Sequence, residues 1–491
     1  MSKPHRKQLD LYSIAKQTLI DVGFEPDFNQ ATLREAQAAS AKAQDLAAQS
    51  GVKDLRDLLW SSIDNETSRD LDQVEYAERL PSGDIRLLIG IADVDAIVSK
   101  GSVIDRRAEQ NCTSVYTGVK TFAMLPEELS TDLTSLVANE DRRAIVTEMI
   151  VASDGTVKVT DIYPANLRSR AKLSYDVIGD WLDGKNETPD AVKSVPGLEQ
   201  QIKLQHQVSQ NLGELRKKHG AIELDTIQST PVVDDSGRVV ELAVTEQNAA
   251  RDLIANFMIG ANVAMAKFLE EKDGPSLRRV VRTPKYWPRI VEIAAEVGEQ
   301  LPATLDSRAL ADFLERRKAA DPVHFPDLSL AIVKSLGPGE YEVQMPGEEG
   351  EGHFGLAVDD YTHSTAPNRR YADLVTQRLV KAAIANEPPP YDGNELKAIA
   401  QRCTEREDAA RKVQRKMRKV AAALLLRNQI GQTFDAIVTG ASEKGTYARI
   451  LNPPVDGRVE RGEQGLRVGD KTRVRLLSTD PERGFIDFAR V

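Results

Sequence analysis

Ile85-Arg86-Leu87-Leu88-Ile89-Gly90-Ile91 carries one charge and no polar–apolar alternation. A strand wetted on one face alternates with period two, so this run implies cover on both faces and a central place in its sheet. The preceding Gln73-Val74-Glu75-Tyr76-Ala77-Glu78-Arg79 reads as its partner, joined through Leu80-Pro81-Ser82-Gly83-Asp84, a turn by composition. Further strands are expected between 144 and 163, around Ala152-Ser153-Asp154-Gly155. Helices are expected at 175–184, 198–218, 247–272, 287–300 and 305–319. Strands early and helices later give an α+β domain, a mixed sheet with surrounding helices.

Immediately upstream lies Ser62-Ile63-Asp64-Asn65-Glu66-Thr67-Ser68-Arg69-Asp70-Leu71-Asp72-Gln73, read as the loop entering the hairpin. Like charges held as close as Asp64, Asp70 and Asp72 repel, and a fold keeps them together mainly when a cation or a proton compensates. Hard oxygen donors suit magnesium, with manganese as the alternative, and such ions commonly engage substrate phosphates. On spacing alone a solvated acidic loop explains the stretch as well.

The 491 residues exceed one ordinary core, and roughly two to four domains are expected. With 41% apolar and 29% charged residues the composition is that of a soluble globular protein. Lys3, Arg6 and Lys7 are followed by no apolar segment, and no run approaches the ~18 apolar residues of a membrane span. Two cysteines, Cys112 and Cys403, make neither a disulfide framework nor a zinc pattern, so a cytoplasmic location and no membrane partner are expected. A net charge of −10 confines any polyanion site to a local basic surface.

Residues 1–55 read as a small helical domain. Leu11, Ile14, Ala15, Thr18 and Leu19 share one face, and an alanine-rich helix follows from Ala31 to Gln49, as a helix-turn-helix-like module or a plain bundle. Residues 56–428 form the α+β domain. Near its end, Pro367 suits a helix's first turn, and Arg369 and Arg370 fall at the positive end of that helix dipole. Two arginines there make sense with a bound anion such as phosphate, or with ion pairs to Asp359 or Asp360. The helix expected from Glu395 to Asn428 bears Arg402, Arg406, Arg411, Lys412, Arg415, Lys416, Arg418 and Lys419, a phosphate track or a solvated face. Residues 429–491 hold five short strands split by Gly and Pro turns, the size of an OB-fold β-barrel, with Tyr447, Arg449, Arg458, Arg461, Arg473 and Arg475 available to single-stranded nucleic acid.

Motifs recur in order along the chain. They are Ser62-Ile63-Asp64 with Asp70-Leu71-Asp72; Gly90-Ile91-Ala92-Asp93-Val94; Thr113-Ser114-Val115-Tyr116; Met124-Leu125-Pro126-Glu127-Glu128-Leu129-Ser130; Ala171-Lys172-Leu173-Ser174-Tyr175-Asp176; His219-Gly220-Ala221-Ile222; Phe257-Met258-Ile259-Gly260-Ala261-Asn262; and His363-Ser364-Thr365-Ala366-Pro367-Asn368-Arg369-Arg370-Tyr371-Ala372-Asp373-Leu374. Together they resemble the ribonuclease II/R family, 3′-to-5′ exoribonucleases whose catalytic domain is called RNB, and the tail resembles the S1-type OB domain that follows it.

The resemblance implies a processive hydrolytic enzyme that degrades single-stranded RNA to nucleoside 5′-monophosphates. Asp64, Asp70, Asp72 and Gln73 would stand at a magnesium site. Asp72, Arg369 and Asp70 would be catalytic, with Arg369 on the scissile phosphate. Tyr116 would stack on the 3′-terminal base, and Tyr175, Arg370, Arg415, Tyr447 and Arg449 would contact RNA. A monomer is expected, with other RNA-decay proteins as partners.

Departures motivate an alternative, a catalytically weakened protein that binds RNA without degrading it. The family usually has an aspartate where Gln73 stands, and two acids where Ala255-Asn256 stand. An aromatic base clamp is expected near Glu223-Leu224, and a glutamate before an arginine where Gln414-Arg415 align. The tandem cold-shock barrels usual in the family are not read in the N-terminus, whose helices would do that job differently or not at all, and a wider entrance would admit partly double-stranded RNA.

Overall fold

The computed structural model describes residues 10–48, 52–225, 229–234, 238–282, 284, 286–442 and 445–491. Lys3, Arg6, Lys7 and Gln49 lie outside the described residues. The chain opens with helices α1 (Leu11–Asp21) and α2 (Gln30–Ala48), then strands β1 (Lys53–Asp54), β2 (Trp60–Asp64), β3 (Gln73–Arg79) and β4 (Ile85–Ala92). Helix α3 (Val103–Asn111) leads to a small hairpin, β5 (Val115–Tyr116) and β6 (Thr121–Phe122), and then to the long strands β7 (Asp141–Val151) and β8 (Val157–Ser174). The main sheet runs β1-β8-β2-β3-β4-β7, and β8 also pairs with β7, so one long strand borders both ends of the sheet. Residues 62–64, read as the start of a loop, belong to β2, which runs parallel to β8. Their lack of alternation hid them, because both faces are covered.

Strand β4 shows why. Leu87, Ile89 and Ile91 enter one core, and Leu88 and Ala92 the opposite one. Gly90 sits where a Cβ would lie 3.1 Å from Leu167 and 3.2 Å from Val74, so the backbone packs directly on neighbouring strands. The first core is closed by helices α11 (Tyr371–Ala385) and α12 (Gly393–Leu426), and the second by α4 (Tyr175–Leu182), α6 (Leu198–Lys218) and α7 (Ala249–Glu271). Helix α5 (Asp190–Lys193) is a single turn before α6. A hairpin, β9 (Ser229–Val233) and β10 (Val239–Val244), precedes α7, and β11 (Ser276–Val280) pairs with β12 (Glu340–Gln344). Between those two strands α8 (Trp287–Glu296), α9 (Ser307–Ala320) and α10 (Phe325–Leu336) share a core of their own around Trp287, Ile290, Phe313 and Phe325. Among the described residues α7 alone is long and apolar enough to cross a membrane, and its apolar residues go to the second core and, at Met265 and Leu269, to the first.

The tail is a closed barrel in the order β13 (Thr433–Ser442), β14 (Gly445–Ile450), β15 (Val455–Arg461), β17 (Phe485–Arg490) and β16 (Lys471–Asp480). Helix α12 joins the parts. Leu396 and Ile399 lie in the first core, Val413 and Met417 pack on α1, and Ala421 to Leu426 pack on the barrel. The N-terminal helices are therefore packing partners of the α+β body. Helix α1 seats Leu11, Ala15 and Leu19 on α12, and Tyr12 stacks on Phe122 of the small hairpin at 6.0 Å. Helix α2 delivers Ala36 and Ala39 to the first core and makes its main contacts with α3.

Candidate active site

The eight residues between β2 and β3 are tied down at both ends. Asp64 accepts from the Asn65 amide at 2.6 Å and from Ser68 Oγ at 2.8 Å. Lys172 Nζ, on β8, donates to the carbonyls of Glu66 at 2.7 Å and Ser68 at 2.5 Å. Ser135 Oγ accepts from the Leu71 amide at 2.9 Å and donates to the Arg69 carbonyl at 2.7 Å. Side chains hung on a turn fixed this way keep their positions when substrate arrives.

Asp72 is 1% exposed. Its carboxylate meets the second turn of the site, Ala366 to Arg370: Oδ1 accepts from the Asn368 amide at 3.0 Å and Oδ2 from Arg369 Nε at 3.2 Å. Burial pushes the Asp72 carboxyl up to about 7, although Arg369 and the Asn368 amide pull it down. Burial also raises Asp64. The arginine turn is anchored from β5, because Ser114 donates its amide to the Arg369 carbonyl at 2.9 Å and Thr113 bridges to Arg370. Helix α11 begins at Tyr371, so both arginines precede the helix rather than occupying its first turn.

Tyr116 arrives from the same strand. Its hydroxyl donates to Asp70 Oδ2 at 2.9 Å, while 40% of the residue stays exposed, and burial of the phenol oxygen holds it protonated. Asp64, Asp70, Gln73, Tyr116, Tyr175 and Arg369 line one cleft of about 1030 Å³. Arg251 lies over the Tyr175 ring at 4.6 Å. A second cavity of about 420 Å³ shares only Tyr116 and Arg369 with the first, and adds Arg370, Arg411 and Gln414. A third, of about 570 Å³, is lined by Glu270, Asp273, Arg278 and Asp360 and contains none of these groups.

Of the expected contacts, Arg449 and Arg415 line neither cavity, whereas Gln73 lines the cleft and Arg370 the second cavity. Arg449 is turned inward: it is 6% exposed and donates to Asp327 Oδ1 of α10 at 2.6 Å, an ion pair between the barrel and the α+β body. Arg370 is held by Asp373 at 2.7 Å and lines the second cavity, while Asp360 pairs with Arg278. Arg415 is exposed and lines neither the cleft nor the second cavity, where its neighbour Gln414 stands instead. Gln73 is 7% exposed, with its amide directed to the Ile63 carbonyl at 3.5 Å. Tyr447 remains open on β14, 43% exposed.

Where the resemblance leads one to expect an aromatic clamp, Leu224 lines the cleft and Glu223 pairs with Lys217. Ala255 also lines the cleft, while Asn256 turns inward to Arg216 and Ser209. Residues that pattern reading passed over include Ser135, Lys172 and Asn368. Lys172 and Asn368 stand inside recurring motifs, which was their signal, but their work is done on backbone groups that a sequence does not reveal. Glu75 was missed too: it is fully buried, neither carboxylate oxygen has a hydrogen-bond partner, and burial with the Asp64 charge raises it well above its usual range.

Among the described residues no three Asp, Glu, His or Cys side chains converge as a ready-made metal cage. A hard divalent ion needs no such cage, since magnesium is commonly held by one or two carboxylates, water and substrate phosphate. The donor set fits that pattern: Asp64 and Asp70 face one cleft, Asp72 stands behind them, and the charge on Asp70 raises both other carboxyls.

Comparison with known proteins adds three findings. The RNB domain family matches residues 52–386, and the RNase II-type exonuclease C-terminal S1 domain matches residues 432–491. Ribonuclease R of Thermotoga maritima is 29% identical over 98% of this chain and 70% of that protein. Ribonuclease R of Escherichia coli is 29% identical over 90% of this chain and 58% of that protein. The chain thus spans roughly three-fifths to two-thirds of these relatives' lengths. Among solved structures, Mycoplasma genitalium RNase R in complex with double-stranded RNA superposes with a TM-score of 0.87 at 26% identity, over 98% of this chain and 83% of that one.

Proposed function

The chain belongs to the RNB-domain family, and we propose that it is a 3′-to-5′ exoribonuclease that hydrolyses single-stranded RNA processively to nucleoside 5′-monophosphates. The observation that carries this is the meeting of Asp72 with Arg369 at 3.2 Å on the wall of a cleft that also holds Asp64, Asp70 and Tyr116. The relatives at this similarity are ribonucleases R, which favours that branch over ribonuclease II.

Asp64 and Asp70 would hold magnesium, or manganese in its place, and Asp72 would position it. When bound, the ion would supply Lewis-acid polarisation of a phosphate oxygen and a water acidic enough to attack. The remaining chemistry belongs to this chain's own groups. The Arg369 guanidinium, oriented by Asp72, places fixed positive charge where the non-bridging oxygens gain negative charge. Tyr116, held by Asp70, offers a ring face at the junction of the two cavities, so a base stacked on it sets the adjoining phosphodiester beside Arg369. The 3′-terminal nucleotide then occupies the smaller cavity, with Arg411 and Gln414, and the rest of the strand follows in the larger one. Tyr447 and the exposed cations of α12 and the barrel would guide the strand inward.

The test is shortening of 5′-labelled poly(A) with magnesium by the full chain and by Asp72→Asn. A ladder of products from the unmodified chain and none from the variant is expected. RNA that is bound but left intact by the unmodified chain would favour the alternative for which Gln73 speaks, binding without degradation. Equal shortening by both would remove Asp72 from the mechanism. The M. genitalium protein was solved with double-stranded RNA, so hairpins with and without 3′ overhangs belong in the same assay. Decay through the stem is expected if the entrance is wide, and arrest at one fixed distance from every stem if it is not.

A further inference from the structure

We propose that Cys112 and Cys403 are a disulfide-forming site in the wall of the smaller cavity, through which a peroxide switches off entry of the terminal nucleotide. The consequence for turnover rests on the proposed function; the bond itself does not.

These are the only two cysteines in the 491 residues, and most of the catalytic domain separates them in sequence. They meet nonetheless. Both sit in the first core, both line the cavity of about 420 Å³ beside Tyr116, Arg369 and Arg370, and the Cys112 thiol, which donates to the Glu109 carbonyl at 3.0 Å, is near enough to raise that of Cys403. Burial alone would make such thiols inert, but the cavity gives a small oxidant a path that bulk solvent lacks.

Their placement links the bond to the site. Cys112 caps α3 in the left-handed region at φ 58°, a conformation that costs a non-glycine residue energy, and its backbone is held by the Ala108 carbonyl at 2.7 Å and the Tyr371 amide at 2.8 Å. The next residues are Thr113, which bridges to Arg370, Ser114, which bonds the Arg369 carbonyl, and, after Val115, Tyr116. Cys403 lies in the first third of α12, one turn before Glu407, which holds Arg279 and Arg411. Joining the two sulfurs draws the Thr113–Tyr116 segment against α12, narrows the shared wall and moves the groups that flank Arg369.

The chemistry balances with hydrogen peroxide as oxidant. The Cys112 thiolate attacks one peroxide oxygen, the O–O bond breaks, and the departing hydroxide takes a proton to become water, leaving a sulfenic acid. The Cys403 sulfur then attacks Cys112 Sγ, the S–S bond forms, and the second hydroxide leaves as water with the Cys403 proton. Two electrons from the two thiols reduce one peroxide to two waters. The neighbouring Cys112 thiol, then burial, keeps Cys403 protonated well above the usual thiol range, so closure is slow at neutral pH and accelerates as pH rises. Cytosolic disulfides are typically transient and redox-sensing, which suits a bond that ordinary cellular thiols would reopen.

The experiment exposes the full chain to hydrogen peroxide over a pH series, digests it without reduction, and looks by mass spectrometry for a peptide pair joining Cys112 and Cys403. Expected are a linked pair that dithiothreitol abolishes, and loss of poly(A) shortening that dithiothreitol restores. Cys403→Ser and Cys112→Ala, each compared with its own untreated sample and whatever its starting rate, should lose no shortening on the same treatment. Two thiols that stay open to alkylation after oxidation overturn the proposal outright. A linked pair in a chain that still shortens RNA overturns the switch. If even the reduced chain leaves RNA intact, the failure lies with the proposed function, and the linked peptide alone still decides whether the bond forms.

Discussion

Arg369 in the cleft and Arg449 in the barrel look alike in sequence: each lies beside aromatic or glycine-rich punctuation, and each reads as a nucleic-acid contact. Their surroundings separate them. Arg449 is 7% exposed at its side chain and faces Asp327, itself 10% exposed, so its charge is consumed inside the protein. Arg369 is 42% exposed and shares a buried Asp72 that burial alone would rather leave neutral. A charge that the fold neutralises holds parts together, whereas one left accessible beside an uncomfortable carboxylate is available for chemistry.

Cutting the structural pair tests the comparison most severely. Removing one partner of a buried ion pair strands the other, at about 3–5 kcal/mol, while replacing both with apolar residues of similar size is near neutral. Arg449→Met and Asp327→Leu singly should therefore lower the unfolding temperature sharply, and the double variant should recover most of the loss, as read by calorimetry. Binding of RNA by the double variant should match the unmodified protein. A fall in affinity without loss of stability would return Arg449 to the RNA surface.

In the cleft the order of effects reverses. Arg369→Lys keeps a charge but loses the planar fork, and removing one preorganised donor to developing charge typically costs about 10²–10³ in kcat. That loss should appear in single-turnover hydrolysis with little change in unfolding temperature. A smaller effect is expected at Lys172, which touches no substrate and holds two carbonyls of the aspartate turn. Residues that orient ligands commonly contribute about 10–100-fold in metal affinity. Lys172→Met should weaken manganese binding by that order, measured by electron paramagnetic resonance without RNA, and unchanged binding would reduce Lys172 to a surface contact.

How much of this was legible follows from where the signal lies. The central strand and the barrel were legible because apolar runs and turn residues report burial directly, and Ile85–Ile91 did so on both faces. Asp64, Asp70, Asp72, Arg369 and Tyr116 were legible as motifs, and the fold does bring them together. The placements of Arg449 and Arg415 were not, because a sequence shows a cation but neither the carboxylate that meets it across the fold, as Asp327 meets Arg449 from over a hundred residues off, nor the face of α12 on which Arg415 stands. Helix α1 read as part of a separate module for a related reason. Its apolar face was plain, but nothing in residues 1–55 says that the face belongs on α12.

The mildest test concerns Asp72 itself. Its folded-state value near 7 lies above the ~3.9 of an unfolded aspartate, so between those values the folded chain holds a proton that the unfolded chain has released. The stability this protonation provides is present below about pH 4 and is lost as pH rises through about 7, at roughly 1.4 kcal/mol per unit for a single group. Metal-free protein should therefore lose stability across that window, and Asp72→Asn, neutral throughout, should show a shallower slope and a higher unfolding temperature at pH 8 than the unmodified chain. The same proton must leave before an ion can bind, so magnesium should stabilise the protein far more at pH 8 than at pH 6. Arg449 supplies the control, because it and Asp327 line neither cavity: the slope that Asp72→Asn removes should survive in the Arg449→Met and Asp327→Leu double variant. Loss of the slope in that variant would place the titrating group at the barrel contact instead of the cleft.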